Sequence, residues 1–250
     1  MPLLSTATKV CRDLKILYHL TLSHVRGASH GERLESFYAR QAGGYDAFRA
    51  RLLHGRQELI DVLTFPDRGT WIDIGAGTGE NAERLGPRLM SLQQVFQVDL
   101  CPSLLKVAQQ RVARHGWTNV QPVHADATTF ACQPASVDVV TFSYSLTMIP
   151  AWFAAIENAV RLLKPGGVIG VVDFYVSRKF PTDGNRCHNW PTCAFWPLWF
   201  ASDNVHLSAD HLPYLQHRFE QLDLREQRGT VPYLPLVRVP YYVFVGRKPS

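Results

Sequence analysis

No stretch of this chain is both long and apolar enough to cross a bilayer as a helix. The longest uncharged run, Val139–Ile156, has 18 residues and only reaches the threshold length. Ser143, Tyr144, Ser145, Thr147 and Pro150 interrupt it, so it reads as a buried strand, a polar loop and a helix start. Cys187–Ser202 is uncharged apart from His188, but Pro191 and Pro197 break it. Cysteine is scarce: Cys11, Cys101, Cys132, Cys187 and Cys193 form an odd set with no CxxC pair. That excludes a disulfide framework and the common zinc modules, and predicts free thiols in a reducing, cytosolic compartment. No signal-peptide pattern stands at Met1. Internal repeats and low-complexity tracts are absent, which excludes a solenoid. No compact Lys/Arg run is present, which argues against a nucleic-acid partner. Charged residues make up 19% and hydrophobic ones 46%, which excludes a disordered chain.

The net charge of +5 is uneven. Residues 1–69 carry 10 Lys/Arg against 7 Asp/Glu, residues 70–176 carry 7 against 8, and residues 177–250 carry 9 against 6. The positive excess therefore sits in the two flanks, which suits an anionic membrane surface or an ordinary solvated face. Leu14–Val25 has apolar residues at helical spacing. Ser29-His-Gly-Glu32 has the form of a capping box opening a second helix to about Gln41. Asp46–Leu63 reads as a third, with Phe48, Leu52, Leu59 and Leu63 on related faces. Strands are then expected at Thr70–Ile74, Val95–Asp99, Val120–His124, Val137–Phe142 and Val168–Asp173. Helices are expected from the glycine turn to Leu89, over Ser103–His115 and over Ala151–Leu163. Short apolar strands alternating with helices predict a parallel sheet covered on both faces. After Phe174 the pattern lapses for about thirty residues rich in Trp and Pro. A helix over Ser208–Phe219 and an antiparallel pair, Leu222–Gln227 with Tyr241–Gly246, close the chain.

One motif carries chemistry. Asp73-Ile-Gly75-Ala-Gly77-Thr-Gly79 ends the first strand and opens a helix. Glycines there let backbone N–H groups approach an anionic ligand. A nicotinamide fingerprint is GxGxxG. Here the spacing is GxGxG, and an acid, Asp73, stands inside the strand end. Both differences favour S-adenosylmethionine, whose carboxylate would take the N–H groups and whose ammonium would face Asp73. Asp99 ends the second strand, where it can accept from both ribose hydroxyls. Asp126 follows the third, where it can accept from an adenine amino group. Gly75, Asp99, Asp126 and Ser143 all fall at carboxyl ends of strands, where ligands bind on such sheets.

The order Asp73, Asp99, Asp126, then Leu163-Lys-Pro-Gly-Gly167, resembles the class I S-adenosylmethionine-dependent methyltransferases over about residues 66–175. A narrower resemblance covers nearly the whole chain. Glu35-Ser-Phe-Tyr38-Ala-Arg-Gln41, Tyr45-Asp46-Ala-Phe48-Arg49 and Leu52-Leu-His-Gly55-Arg56 look like the BtaB-type diacylglyceryl-homoserine N-methyltransferases of betaine-lipid synthesis. Phe142-Ser-Tyr144-Ser-Leu-Thr-Met148-Ile-Pro150, Asp173-Phe-Tyr175-Val, Val231-Pro-Tyr233-Leu-Pro235 and Val239-Pro-Tyr241-Tyr242 continue the match. Ala151 departs from it, standing where an acid is expected.

The resemblance implies one doubly wound, Rossmann-like α/β domain with a seven-stranded sheet, one strand antiparallel. An N-terminal helical cap covers residues 1–65, the cofactor-binding core 66–175, a substrate-side insert 176–207, and the closing helix and strands 208–250. It implies three methyl transfers from S-adenosylmethionine to a homoserine amine, with S-adenosylhomocysteine as product. It places Tyr38 and Tyr144 near the reacting amine. Tyr45 and Arg49 fall in a lid over the cofactor. Leu100 and Ala127 stand beside Asp99 and Asp126 in the cofactor site. The implied partners are the diacylglyceryl-homoserine lipid, an anionic membrane touched peripherally at its inner face, and an enzyme that makes the substrate lipid. The alternatives are a methyltransferase for another small amine or a quinone-like acceptor, or a non-catalytic module that binds S-adenosylmethionine or a nucleic acid.

The residue chemistry fits methyl transfer. An in-line displacement needs proximity, orientation and removal of water, with no metal and no covalent nucleophile. A quaternary ammonium product is held by aromatic faces, and Tyr175, Tyr233, Tyr241 and Tyr242 extend the supply. The substrate carboxylate calls for a guanidinium fork from Arg40, Arg49, Arg51 or Arg56. A base, if one is used, is His30, His54, His188 or water. Leu14–Val25 and Pro191–Phe200 either meet a lipid surface or pack on the sheet.

Overall fold

The computed structural model describes residues 31–32, 35, 51–201, 205–232 and 234–250, with 234–236 in backbone only. In chain order these form α1 (Arg56–Val62), β1 (Thr70–Ile74), α2 (Glu80–Leu85), β2 (Gln94–Asp99), α3 (Pro102–His115), β3 (Val120–His124), β4 (Val137–Ser143), α4 (Trp152–Leu162), β5 (Leu163–Phe174), α5 (Trp190–Ala201), α6 (His211–Arg218), β6 (Glu220–Val231) and β7 (Leu234–Arg247). The seven strands make one sheet in the order β3-β2-β1-β4-β5-β7-β6. Strands β1 to β5 run parallel, and β7 runs antiparallel to both β5 and β6.

The two-residue period of a strand sorts the core into two layers. Trp71, Val139 and Val243 face one side with Leu59, Leu63 and Leu85. Their chain neighbours Ile72, Val140 and Phe244 face the other with Ile156, Leu162 and Leu215. Trp71 is fully buried, and its indole N–H donates to Thr141 Oγ1 at 2.8 Å. Each such large side chain contributes about 1.5–3 kcal/mol of burial energy.

Four expectations need correction. The helix read as Asp46–Leu63 is not continuous: α1 begins at Arg56, behind Gly55 at φ 76°. A side chain at Gly55 would lie 2.7 Å from Tyr241, so glycine admits the close approach of β7. The helix expected to reach Leu89 ends at Leu85, where Gly86 leads into a 3-10 turn over Gly86–Ser91. Pro165–Gly167, which reads as a turn ahead of the strand at Val168, lies within β5, at a register shift between Leu163 beside Val137 and Val168 beside Val139. Finally, Trp190–Ala201 is helical despite Pro197. It lacks polar periodicity because both of its faces are apolar. The helices expected over Leu14–Val25 and Ser29–Gln41 lie outside the described residues except Gly31, Glu32 and Glu35, which are helical.

Candidate cofactor and methyl-transfer site

The carboxyl ends of β3, β2, β1 and β4 lie side by side, and the chain puts its chemistry there. The loop after β1 turns through Gly75, Gly77 and Gly79, all at positive φ. The N–H groups of Gly75 and Ala76 donate to the Val98 carbonyl at 2.8 and 3.1 Å, which moors the loop to the end of β2. Asp99 supports the same loop: its Oδ2 accepts the Gly77 N–H at 2.7 Å and its Oδ1 the Cys101 N–H at 2.8 Å. Leu100 is half-buried beside it. Beyond β3, Asp126 Oδ1 accepts both the N–H and the hydroxyl of Thr128 at 2.7 Å, and Ala127 is buried.

Asp73 lies deeper, under the glycine loop and 1% exposed. Thr141 Oγ1 donates to it at 2.7 Å and Asn81 Nδ2 at 3.0 Å. Burial pushes its carboxyl up to about 6, against the pull of these bonds and of the Arg56 charge. Ser143 closes the floor at the end of β4 and accepts from Arg56 Nε at 3.2 Å. Next to it Tyr144 is held at φ 55°, a strained setting for a non-glycine residue. Its N–H donates to the Val172 carbonyl and its hydroxyl to the His54 carbonyl at 2.7 Å. Burial, with Asp173 nearby, keeps that hydroxyl well above the usual phenol range.

The structure therefore gathers Asp73, Gly75, Gly77, Asp99, Leu100, Asp126, Ala127, Ser143 and Tyr144 at one end of the sheet. Tyr38, Tyr45 and Arg49 lie outside the described residues, as do Arg40, His30 and Tyr233. Two groups considered for proton transfer hold backbone: His54 Nε2 lies 2.9 Å from the Thr230 carbonyl, and His188 Nδ1 accepts the Ser177 N–H. Sequence reasoning missed Glu35 in this setting. Its Oε2 accepts the Ser103 N–H and the Cys101 thiol, both at 3.1 Å, which puts this carboxylate at the carboxyl end of β2. The wide groove of about 580 Å³ among Pro66, Asp138, Lys164 and Arg247 lies at the opposite ends of the strands and is remote from this chemistry.

S-adenosylmethionine fits these residues. The Gly75 turn admits no side chain, since a Cβ would stand 2.3 Å from Ser145 Cβ, and the bare backbone beside Asp73 and Asp99 suits the donor's carboxylate and ammonium. Residues 72–167 match the family model described as a methyltransferase domain. Those residues are a methyltransferase domain, in a chain with the class I methyltransferase fold and S-adenosylmethionine as methyl donor. The methyltransferase is similar to the ubiquinone/menaquinone biosynthesis C-methyltransferase UbiE of Pseudomonas fluorescens, with 27% identity over 194 residues, or 74% of either chain. It is 25% identical to the demethylmenaquinone methyltransferase of Geobacillus kaustophilus over 56% of this chain and 62% of that one. Among solved structures, its fold is shared with the N-methyltransferase NodS of Bradyrhizobium japonicum bound to S-adenosylhomocysteine (TM-score 0.63, 16% identity, 86% and 98% covered). It is also shared with the 1,6-didemethyltoxoflavin-N1-methyltransferase of Burkholderia thailandensis (TM-score 0.60, 18% identity, 92% and 94% covered).

The Asp99 carboxylate gives a direct test. Asp99→Ala should weaken S-adenosylhomocysteine binding about 10- to 100-fold, the worth of one or two charge-assisted hydrogen bonds, with the melting transition retained. Calorimetric titration checks this. Wild-type affinity in the folded variant would remove Asp99 from the cofactor site.

Proposed function

We propose that this methyltransferase trimethylates the homoserine amine of diacylglyceryl-homoserine to give the betaine lipid. The observation that carries the reading is an aromatic column from the site to an apolar surface. Tyr144 packs on Phe174 at 4.6 Å, Phe174 on Phe200 at 4.8 Å, and Phe200 on Trp196 at 5.7 Å. Trp196 and Phe200 are the inner face of α5, which carries no charged residue. Its other face leaves Trp190 80% and Leu198 78% exposed, with Phe195 half-exposed, and Phe180 stands 81% exposed in the preceding loop. An uncharged helix with exposed Trp, Phe and Leu suits the interface of a lipid layer. No described helix is long and apolar enough to cross a membrane.

When bound, the cofactor supplies a methyl group on a sulfonium. The chain's residues hold that donor by the Gly75–Gly79 loop and the acids at the strand ends. They also keep the reacting space dry with Tyr144 and Phe174, and surround a cationic nitrogen with aromatic faces. The acceptor nitrogen attacks with its lone pair, so the amine must be neutral. The first two products each shed a proton to regain the lone pair, and the third is quaternary. Tyr38 and Tyr144 are the residues we assign to the amine, and Tyr45 and Arg49 to the lid.

A second reading, a quinone-like acceptor, is favoured by the similarity to the two quinone-pathway enzymes. Mass spectrometry separates the two. Purified protein with S-adenosylmethionine should add one, two and three methyl groups to diacylglyceryl-homoserine in detergent micelles and none to demethylmenaquinone. Methylation of the quinone alone would reverse the assignment.

A further inference from the structure

Arg56 is a buried guanidinium at the first residue of α1, and all three of its nitrogens reach polar partners from two other elements. Nη1 pairs with Glu80 Oε2 at 2.6 Å, Nη2 donates to Asn81 Oδ1 at 2.8 Å, and Nε donates to Ser143 Oγ at 3.2 Å. Glu80 and Asn81 open α2 directly behind the glycine loop, and Ser143 ends β4. The same Asn81 side chain turns its amide N–H toward both oxygens of Asp73, at 3.1 and 3.0 Å. Arg56 therefore fixes which way Asn81 faces. With its carbonyl oxygen on the guanidinium, its amide can only donate to Asp73. This commitment also sets Arg56 apart from the expectation that it holds a substrate carboxylate.

We propose that Arg56 is a positioning residue for the cofactor, acting through Asn81 on Asp73 and coupling the start of α1 to the glycine loop. The proposal rests on reading Asp73 as the carboxylate that offsets the cofactor's ammonium. The charged groups around Asp73 are Arg56 from α1 and Asp99 from β2, while Asn81 of α2 and Thr141 of β4 face it as neutral donors. Glu80 balances Arg56 from the far side, and Arg84 holds its other oxygen at 2.6 Å. Among the described residues Arg56 is the cation that acts on Asp73, so its removal should raise the fraction of Asp73 that is protonated at neutral pH.

The test is the pH dependence of S-adenosylhomocysteine binding, measured by calorimetry between pH 5 and 8. The proteins are the wild type, Arg56→Met, Arg56→Lys, Asp73→Asn and the Arg56→Met/Asp73→Asn pair. The wild type should lose affinity as pH falls through about 6. Arg56→Met should bind at least tenfold more weakly at pH 7, with its midpoint moved up by a unit or more. Arg56→Lys keeps the charge but not the fork. It should restore the midpoint while binding a few-fold more weakly than the wild type. In the pair, Arg56→Met should add less than threefold to the effect of Asp73→Asn, because both act through one carboxylate. An undiminished effect of Arg56→Met in the Asp73→Asn background would overturn the coupling. If Asp73→Asn alone binds normally, it is the reading of Asp73 that fails. Should Arg56→Met not fold, wild-type affinity in Arg56→Lys would overturn the proposal, since the fork to Asn81 and Ser143 is then dispensable.

Discussion

Alanine at Gly75 is expected to abolish measurable cofactor binding while leaving a folded protein of lower stability. Gly75 sits at φ 68°, which costs an L-residue about 1–2 kcal/mol. A Cβ there would stand 2.3 Å from Ser145 Cβ and 3.0 Å from its Oγ. Ser145 cannot simply swing aside, because its hydroxyl donates to the Ile74 carbonyl at 2.8 Å. The overpacking adds about 1–3 kcal/mol. A total near ~3 kcal/mol lowers the melting temperature by roughly 6–12 °C in a chain of this size. The binding effect is larger, because the loop can relieve the contact only by leaving its bonds to Val98. We expect S-adenosylhomocysteine affinity to fall by more than about 100-fold, since a donor array misplaced by an ångström loses most of its worth. Gly116→Ala is the control. That glycine also has positive φ, but nothing lies within 4 Å of its Cβ position, at the far end of α3. It should cost about 1 kcal/mol and leave affinity unchanged. Calorimetry and thermal melting on the two variants decide the matter. Affinity within threefold of wild type in Gly75→Ala would show that the loop is not the cofactor's cradle.

The parts of the fold legible in the sequence are those whose local pattern has one physical meaning. A short run between turn residues, such as Val120–His124, reads as a strand, and the structure has the same bounds, with Val120 buried at the sheet's edge. Gly116 after His115 ends α3 because a left-handed residue terminates a helix. The errors arose where tertiary contact overrides local pattern. Nothing near Gly55 in the sequence announces that Tyr241 and Val243 press against it. Pro197 reads as a helix breaker, yet α5 tolerates it because Trp196 and Phe200 pack on the core and hold the helix in place. The register shift in β5 is stabilised from outside by a remote segment: Lys248 exchanges backbone hydrogen bonds with Gly166 and Gly167.

The site divides in the same way. Acids at strand ends are legible because the topology forces strand ends together, and Asp73, Asp99 and Asp126 share one end of the sheet. The side chains that set their chemistry are not legible, because they arrive from elsewhere in the chain. Arg56 reaches Ser143 across 87 positions, and Glu35 reaches Ser103 across 68. Thr141 meets Asp73 only because β1 and β4 are neighbours in register. No spacing rule encodes such pairings.

The strongest acid sensitivity should come from His211, which no sequence motif singles out. Its ring is fully buried, packs edge-on against Trp152 at 4.7 Å, and among the described residues finds no hydrogen-bond partner for either nitrogen. Burial pushes its pKa down to about 4, although Asp210 pulls the other way. It also opens α6, where the helix N-terminus disfavours a cation. In the unfolded chain a histidine takes up a proton below about 6.5, and the folded chain resists until about 4. Between those values the unfolded state binds more protons, so stability falls as the pH falls, by about 3 kcal/mol over the whole window. Asp73 and Asp173 act in the opposite sense. Burial raises them to about 6 and about 7, so they hold protons in the folded state and favour it as the pH drops toward 4. Comparing wild type with His211→Phe cancels both carboxyls and isolates the imidazole. Phenylalanine keeps the edge-on contact with Trp152 and removes two unpaired buried nitrogens, so the variant should already be about 1–2 kcal/mol more stable at pH 7. Urea unfolding at pH 4.5 should show that advantage grown by a further ~2–3 kcal/mol. An equal advantage at both pH values would mean that His211 takes up its proton in the folded state as readily as in the unfolded one. The acid limb would then have to come from another group.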